Sequence, residues 1–311
     1  MSTFESKNKK NELIEKVIKA TLITAAVISI LTTFGILFSI LFEAIEFFKL
    51  RSFWYFLTGT EWSPGIIGSK FGALPIFSGT FVITFIALAV AIPVGLGSAI
   101  YMSEYASDRL RDYLKPLLEI LAGIPTVVYG FFAAITVAPL IVNAADAVGL
   151  EATFNSALAS GVVMGIMIIP VISSLSDDVI RSVPDSQRKA AYGLGMTHGE
   201  VIKNIVLPSA MPGIISAGLL GLSKALGETM IVVMAAGLRP NLSINPLEDM
   251  TTVTVTIVNS LVGDFEFNSP ETLSAFALGL VLFVITLILN MISLKLIRTF
   301  KEKYKVNTLW F

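Results

Sequence analysis

The sequence predicts an all-α integral membrane protein with six transmembrane helices. Hydrophobic residues occupy 54% of the 311 positions and charged residues only 14%, whereas charged residues make up about a quarter of a typical soluble domain. Charges are absent from long stretches, and a helix of about 20 apolar residues crosses a hydrocarbon core of about 30 Å. The stretches do not alternate at every second residue, which argues against spanning β-strands.

Six apolar runs account for the six helices. They cover residues 20–42, 71–103, 120–145, 152–176, 208–238 and 272–294. Glu43 and Glu46 follow the first run in place of a small-residue cleavage site, so we interpret that run as an uncleaved anchor. The chain contains no cysteine, which excludes disulfides and thiolate metal sites.

The distribution of lysine and arginine predicts the orientation. Most of the 22 basic residues fall on one side of the membrane. The other side holds Lys49, Arg51, Lys70 and Arg239. Because cytoplasmic segments carry the excess of positive charge, we expect both termini in the cytoplasm. The net charge of −1 gives no indication of a nucleic-acid partner.

One membrane domain accounts for most of the chain. The predicted division is a lysine-rich lead-in over residues 1–16, a six-helix domain over residues 17–298 and a polar tail over residues 299–311. Two long connections, residues 47–73 and 239–271, fall on the outer side. The first contains aromatic residues 52–57, which suggest a short interfacial helix. The second contains the β-branched residues 250–263, which suggest a re-entrant or interfacial helix.

A polar segment, residues 178–208, separates the fourth and fifth apolar runs and carries a helix–turn–helix pattern. Asp185 or Ser186 is predicted to cap a short helix over residues 187–194. The helix is predicted to end near Gly193 or Gly195, and glycine at position 195 permits a turn that a Cβ atom would obstruct.

Two further features of the polar segment suggest a contact surface. Thr197 and Glu200 have the spacing of a capping box, which predicts a second helix start. Ala190 and Ala191 present almost no side chain, so the surface suits insertion into a groove on another protein. The alternative is an ordinary loop helix.

The polar segment resembles the EAA loop of ATP-binding-cassette (ABC) importer permeases, which reads E-A-A-x-x-x-G followed by I-x-L-P. The residues in register are Lys189, Ala190, Ala191, Gly195, Ile205, Leu207 and Pro208, with lysine in place of the usual glutamate. In that family the segment is the coupling helix, which docks on an ATP-hydrolysing subunit. The chain lacks the G-x-x-x-x-G-K-[ST] phosphate loop. The resemblance therefore implies a type I ABC importer permease fold and a non-catalytic subunit without cofactor or metal.

Other stretches resemble the C-type permease of phosphate-specific ABC importers. They are residues 62–64, 71–80, 92–97, 103–106, 122–126 and 224–230. The resemblance implies import of inorganic phosphate across the cell membrane, with a homologous A-type permease, two copies of a cytoplasmic ATP-binding subunit and an external phosphate-binding protein as partners. A permease for molybdate or sulfate, a secondary transporter without a motor, and a non-transporting scaffold or phosphate sensor remain alternatives.

Lys224 and Glu228 are candidate residues of the translocation pathway. Each costs about 2.5–3.5 kcal/mol at the centre of a spanning helix, and Lys224 lies about 24 Å along a helix from Pro208 at about 1.5 Å per residue. The simplest alternative is an i,i+4 ion pair that neutralises itself. We expect both charges, with the hydroxyls of Ser223 and Thr229, to line a path for an anion.

The remaining polar residues predict less. Small residues at Gly213, Ala217, Gly221 and Ala225 form one row, which permits close approach of a neighbouring helix. Two groups of charged residues lie at the ends of apolar runs. One is interpreted as an ordinary cytoplasmic loop, namely Glu104, Asp108, Arg109 and Arg111. The other is interpreted as a solvated cap or a partner contact, namely Asp177, Asp178 and Arg181. His198 has no companions that would suggest a metal or catalytic site.

Overall fold

The computed structural model is a helical bundle that is described over residues 2–65, 69–262 and 266–303, with side chains from residue 14 to residue 299 of these ranges. Six helical stretches in this part of the chain are long and apolar enough to cross a membrane. They are Ile14–Leu50, Leu74–Tyr105, Thr126–Ala147, Ala157–Arg181, His198–Leu226 and Pro270–Thr299. The prediction of six spanning helices is confirmed.

Shorter helices and a pair of strands connect the long helices. In chain order the elements are α1 (Ser2–Leu50), α2 (Phe53–Thr58), β1 (Trp62–Ser63), β2 (Lys70–Phe71), α3 (Leu74–Ile100), α4 (Asp108–Ala122), α5 (Thr126–Phe132), α6 (Ala138–Ala147), α7 (Ala157–Arg181), α8 (Asp185–Gly193), α9 (His198–Val201), α10 (Leu207–Leu226), α11 (Met230–Ala235), α12 (Val253–Val262) and α13 (Pro270–Lys303). Three π-helical segments, Tyr101–Tyr105, Ala133–Val137 and Ile202–Val206, continue α3, α5 and α9. The strands form an antiparallel pair with Trp62 opposite Phe71.

Both short helices expected in the long connections are present. Helix α2 falls on the aromatic stretch, and α12 falls within residues 250–263, of which residue 263 lies outside the described residues. Helix α1 begins at Ser2, so the backbone of residues 2–16 of the expected lead-in is helical. The part of the expected tail after residue 303 lies outside the described residues.

The fifth spanning helix differs from the prediction of residues 208–238. It begins at His198 and ends at Leu226, and the apolar sequence continues into the separate helix α11. Pro208 does not interrupt the span, which continues through it directly after the π-helical segment Ile202–Val206. Gly227 is the C-cap of α10, and the chain changes direction there while its hydropathy stays high.

Helices α3, α7 and α10 form the centre of the bundle, with α7 packed against both neighbours. Small residues allow this approach, since Gly165 of α7 lies against Ala87 and Gly221 of α10 lies against Ile172. The predicted row on α10 is therefore an interhelical surface. Helices α1 and α13 pack together at the periphery, and α1 leaves large apolar side chains such as Leu31 and Phe38 exposed, as a lipid-facing helix does.

Candidate functional site

Helix α8 starts the polar segment and is fixed at its beginning by proline. Pro184 is the N-cap, with φ −59° and ψ 138°, and its carbonyl accepts a hydrogen bond from the N–H of Gln187 at 3.1 Å. The prediction of Asp185 or Ser186 as the cap is wrong, because proline already holds the extended conformation that precedes a helix. Asp185 instead occupies the first turn, where its charge is favourable for the helix dipole.

A Schellman turn ends α8 at Gly195, as the sequence predicts. Gly195 has φ +84°, its N–H donates to the carbonyl of Tyr192 at 2.9 Å, and the N–H of Met196 donates to the carbonyl of Ala191 at 3.3 Å. The next helix, α9, begins with the predicted capping box between Thr197 and Glu200. The turn between α8 and α9 is therefore fixed by hydrogen bonds within the polar segment itself.

The residues in register with the EAA pattern divide into an inner and an outer group. Ala191 is buried in one apolar cluster against which Ile205 and Leu207 pack, which explains why the two halves of the pattern keep their spacing. Lys189, Ala190 and Gly195 are exposed on the opposite side, and Pro208 lies in the first turn of α10. Between them, Leu194 is 82% exposed at the tip of the polar segment. The exposed side of α8 and of the turn that follows it therefore presents small side chains together with one leucine.

An ion pair joins the polar segment to the end of the second spanning helix. Nη1 of Arg188 lies 2.7 Å from both carboxylate oxygens of Glu104, and Nη2 donates to the carbonyl of Ile180 at 2.9 Å. The Glu104 side chain is 3% exposed. Removing one partner of a buried pair costs about 3–5 kcal/mol. The interpretation of Glu104 as an ordinary loop residue is therefore wrong.

A second charged cluster fixes α4 to the end of α7. Asp177 is fully buried, and its carboxylate accepts hydrogen bonds from Arg111 at 2.7 and 3.4 Å. Lys115 pairs with Asp178, and Arg181 lies 3.9 Å from Asp177. The hydrogen bond to Asp177 raises the pKa of Arg111 above its ordinary value. Asp177 is not the solvated cap that the sequence suggests.

Neither ion pair is visible in the sequence alone. Glu104 and Arg188 are 84 positions apart, and Arg111 and Asp177 are 66 positions apart. Local patterns show charges at the ends of apolar runs, and such charges are usually solvated. The one available signal is the matching of opposite charges on run ends of the same membrane side.

His198 makes a local contact with the same helix end. Its Nε2 lies 3.2 Å from the carbonyl oxygen of Glu104, and its Nδ1 lies 2.6 Å from the hydroxyl of Tyr192. The Tyr105 ring lies edge-on to the imidazole, with the two centroids 5.2 Å apart. The described residues contain no group of three or more histidine, aspartate or glutamate side chains able to hold a metal.

The structure separates the two charges that the sequence places on one helix face. Lys224 is in the last turn of α10, where a positive charge is favourable for the helix dipole, and not at the centre of a longer helix. Oε1 of Glu228 accepts hydrogen bonds from the N–H groups of Met230 at 3.0 Å and Ile231 at 3.3 Å. Within the described residues, Lys224 and Glu228 form no ion pair within 4.0 Å.

The break after α10 is held by contacts with α12. Glu228 is 7% exposed, and its carbonyl accepts a hydrogen bond from the hydroxyl of Thr254 at 2.8 Å. Thr229 is the N-cap residue of α11 and is half-buried, whereas Ser223 is exposed on α10. The four residues predicted to line a path thus lie around the interruption between α10 and α11. Among them, Glu228 makes the hydrogen bonds to the start of α11.

The arrangement of helices is similar to that of two solved ABC transporters. A bacterial ABC transporter involved in the import of the acidic polysaccharide alginate matches with a TM-score of 0.63 at 16% identity, over 93% of this chain and 99% of that chain. The inward-facing MetNI methionine ABC transporter matches with a TM-score of 0.54 at 16% identity, over 73% of this chain and 94% of that chain. The predicted type I ABC importer permease fold is confirmed.

Curated relatives have higher identity. The chain is 32% identical over 251 residues to the probable ABC transporter permease protein YqgH of Bacillus subtilis, over 81% of this chain and 78% of the relative. It is 34% identical over 302 residues to the phosphate transport system permease protein PstC of Mesorhizobium japonicum, over 90% and 89%. The PstC protein of Pasteurella multocida is 31% identical over 317 residues, over 96% of each chain.

A family model gives the same assignment. The model for binding-protein-dependent transport system inner membrane components matches residues 91–301, which include the polar segment, both ion pairs and the break after α10. The chain belongs to this family of membrane components of binding-protein-dependent ABC transport systems.

Proposed function

We propose that this chain is the C-type permease subunit of an ATP-driven importer of inorganic phosphate. Relatives that are named phosphate transport system permeases align with nine-tenths or more of the chain, which supports phosphate as the substrate. The chain forms the translocation pathway together with a homologous A-type permease. It lies in the inner membrane as a multi-pass protein with both termini in the cytoplasm, as the lysine and arginine distribution favours.

The main support for an ATP-driven motor is the exposed tip of the polar segment, residues 189–195. Lys189, Ala190 and Leu194 point away from the apolar cluster that holds Ala191. We assign this tip to a groove on a separate cytoplasmic ATP-binding subunit, present in two copies, one for each permease. The chain itself is non-catalytic, and closure of the ATP-binding dimer pulls the polar segment. An external phosphate-binding protein delivers the ion to the opposite end of the bundle.

Lys224, Ser223 and Thr229 are proposed to line the pathway, with a changed role for Glu228. Lys224 is half-buried and its ammonium is not paired with Glu228, which leaves it to attract an anion. Glu228 stabilises the start of α11, because its carboxylate accepts hydrogen bonds from two backbone N–H groups there. It repels a phosphate dianion if exposed to one, so we place it behind the pathway and not in it.

Uptake measurements test the substrate and the motor together. Radiolabelled phosphate uptake at low external concentration is measured in cells that lack this chain and re-express wild type, Gly195→Asp or Leu194→Asp at matched membrane levels. We expect wild type to restore uptake, excess molybdate and sulfate not to compete, and both variants to lose at least nine-tenths of the rate. Competition by either oxyanion contradicts phosphate specificity. Uptake that survives removal of the ATP-binding subunit indicates a secondary transporter.

The pathway assignment has its own test. Lys224→Gln is expected to lower the uptake rate at least fivefold while the complex assembles normally, because the anion loses its positive partner. Lys16→Gln, an exposed lysine on α1, serves as the matched control and is expected to transport as wild type. Unchanged uptake by Lys224→Gln contradicts a pathway role. Normal phosphate signalling with both Lys224 and Glu228 replaced indicates a sensor and not a transporter.

A further inference from the structure

The part of the polar segment between α7 and α10, residues 182–206, is joined to three helices, although the chain connects it to only two. It follows α7 and precedes α10 in the sequence, so any displacement of the segment moves these helices directly. Helix α3 has no covalent link to it. The contacts of Arg188 and His198 with Glu104 are therefore the polar links between the segment and α3 in the described part of the chain.

Glu104 contacts both α8 and α9 of the polar segment. Its carboxylate binds Arg188 of α8, and its carbonyl oxygen faces His198 of α9. Arg188 also donates to the carbonyl of Ile180 at the end of α7, so one guanidinium joins α3, α7 and α8. A planar guanidinium with several fixed N–H groups suits such a three-way contact better than a lysine.

Buried apolar residues lie beside this contact, in which the Glu104 side chain is 3% exposed and the Arg188 side chain 17% exposed. Ala99 and Met102 of the α3 end, Ile180 of α7 and Ala191 of α8 are all buried, and Ala99, Ile180 and Ala191 belong to one apolar cluster. In such surroundings a hydrogen-bonded ion pair is well ordered, because each partner is costly to leave unpaired. The end of α3 and the polar segment thus form one packed unit.

The helix end that carries Glu104 has unusual geometry. Glu104 lies in the π-helical segment Tyr101–Tyr105, where the N–H of Ala106 donates to the carbonyl of Tyr101 at 2.8 Å. The polar segment ends in another π-helical segment, Ile202–Val206. π-Helical turns are rare and occur frequently at functional sites. One π-helical turn thus carries Glu104, and another follows α9 directly.

We propose that Glu104 is the positioning residue through which the polar segment moves α3 together with α7 and α10. This inference rests on the proposed function, in which a motor displaces the segment. The three central helices then turn as one body, while α1 and α13 stay with the lipid. Without the Glu104–Arg188 pair, α3 follows the motion mainly through its packing against α7 and α10, so its end is displaced less and the pathway opens incompletely.

The first test measures coupling in the reconstituted full complex of both permeases, the ATP-binding subunits and the binding protein in proteoliposomes. Glu104→Gln, Arg188→Gln and the double variant are compared with Glu119→Gln, an exposed glutamate of α4. We expect both single variants to assemble and to hydrolyse ATP, with at least a tenfold fall in phosphate transported per ATP. The double variant should be no worse than either single variant, because both remove the same pair. Wild-type coupling in the single variants, or additive losses in the double variant, overturns the proposal.

The second test does not depend on phosphate transport, and it leaves Glu104 and Arg188 unchanged. Since the chain has no cysteine, spin labels at Tyr101→Cys, an exposed position in the π-helical end of α3, and at Ser186→Cys, in α8, measure the distance between the two sites. In the otherwise wild-type complex we expect this distance to be the same without nucleotide and with trapped ATP. A change of more than about 3 Å, larger than the helix shifts of about 1–2 Å common in such transitions, overturns the proposal. If wild type transports no phosphate but the distance stays constant, the proposed substrate fails and the positioning role of Glu104 stands.

Discussion

Gly195 and Gly193 lie two positions apart in the polar segment and have opposite requirements. Gly195 has φ +84°, and Gly193 is helical, while an added Cβ atom meets nothing within 4 Å at either position. Space is therefore equal at the two sites, and only the backbone conformation differs. A left-handed conformation costs a residue with a Cβ atom about 1–2 kcal/mol.

This difference predicts the effect of alanine at each position. Gly195→Ala is expected to lower the free energy of unfolding by about 1 kcal/mol, whereas Gly193→Ala is expected to be neutral or stabilising by up to about 1 kcal/mol. Thermal unfolding of the purified chain in detergent measures both. Equal effects of the two substitutions would contradict the Schellman turn at Gly195.

The residue scale also shows what sequence could not predict. The turn glycine and the capping box of Thr197 and Glu200 were predictable because their causes are local. The positions of Lys224 and Glu228 were not, because the helix ends at Leu226 without a change in hydropathy. In the sequence, Glu228 is a costly charge in a spanning helix. In the structure, its carboxylate accepts hydrogen bonds from N–H groups at the start of α11 that have no partner within that helix. Only the fold reveals that a second helix starts there.

At the scale of single elements, α4 depends on its charges for its position. None of its residues is buried, and its exposed side includes Tyr113 and Ile120. Its attachment to α7 comes from Arg111 and Lys115, which bind Asp177 and Asp178. The two aspartates are adjacent in sequence, but Asp177 is fully buried and the Asp178 side chain is 53% exposed.

Neutralising the two aspartates is therefore expected to have unequal effects. Asp177→Asn leaves the Arg111 guanidinium without its main partner and should destabilise the chain by about 3–5 kcal/mol. Asp178→Asn removes a partly solvated pair and should cost less than about 1 kcal/mol. Thermal unfolding gives both values, and hydrogen exchange over α4 shows whether the helix is released. A larger loss for Asp178→Asn would refute this account of α4.

The connection between α11 and α12 contains a hydrogen-bonded loop centred on Glu248. Its carboxylate accepts hydrogen bonds from the side-chain amides of Asn241 at 2.8 Å and Asn245 at 3.1 Å. These bonds, led by that from Asn241 and including one from Ser243, lower the pKa of Glu248 below its ordinary value of 4.5. The ionised form is therefore the one that the fold favours.

The sign of this pKa shift predicts how the loop responds to acid. Its stabilisation is fully present above pH 4.5 and is lost as the pH falls through the lowered folded pKa. We expect hydrogen exchange over residues 239–250, corrected for intrinsic rates, to accelerate between about pH 5 and pH 3 in wild type. Glu248→Ala should exchange fast at both pH values, and the exposed Glu151→Gln should match wild type. A pH-independent wild-type loop would show that the amides do not favour the carboxylate.

Most helices could be predicted from local sequence, but one helix boundary depends on tertiary packing. The six spans followed from apolar length, and α2 and α12 followed from aromatic and β-branched stretches. The start of the fifth span at His198 did not, because the sequence predicts a separate short helix after Thr197, and its continuity with α10 accompanies the packing of Val201 and Val206 against Ala191 and Ile180. Tertiary burial overrides local composition at that point.

At the scale of the whole molecule, the distances between α3, α7 and α10 determine whether they can turn as one body. Glycine on α10 sets the closest approach. A Cβ atom at Gly213 would lie 2.3 and 2.6 Å from the two γ-carbons of Val179 on α7, whereas one at Gly218 meets nothing within 4 Å. The same helix thus offers a packed glycine and an open one.

Alanine at these two positions is expected to act in opposite directions. Gly213→Ala forces α7 and α10 apart and should destabilise the bundle by about 1–3 kcal/mol, with loss of phosphate transport because the Glu104–Arg188 contact depends on the same helix spacing. Gly218→Ala should be neutral or stabilise the bundle by up to about 1 kcal/mol, since alanine has the higher helix propensity. Thermal unfolding in detergent and uptake by the reconstituted complex measure the two effects. A Gly213→Ala protein as stable and active as Gly218→Ala would mean that α7 and α10 do not need this close contact, and the central helices would then have to move relative to each other during transport.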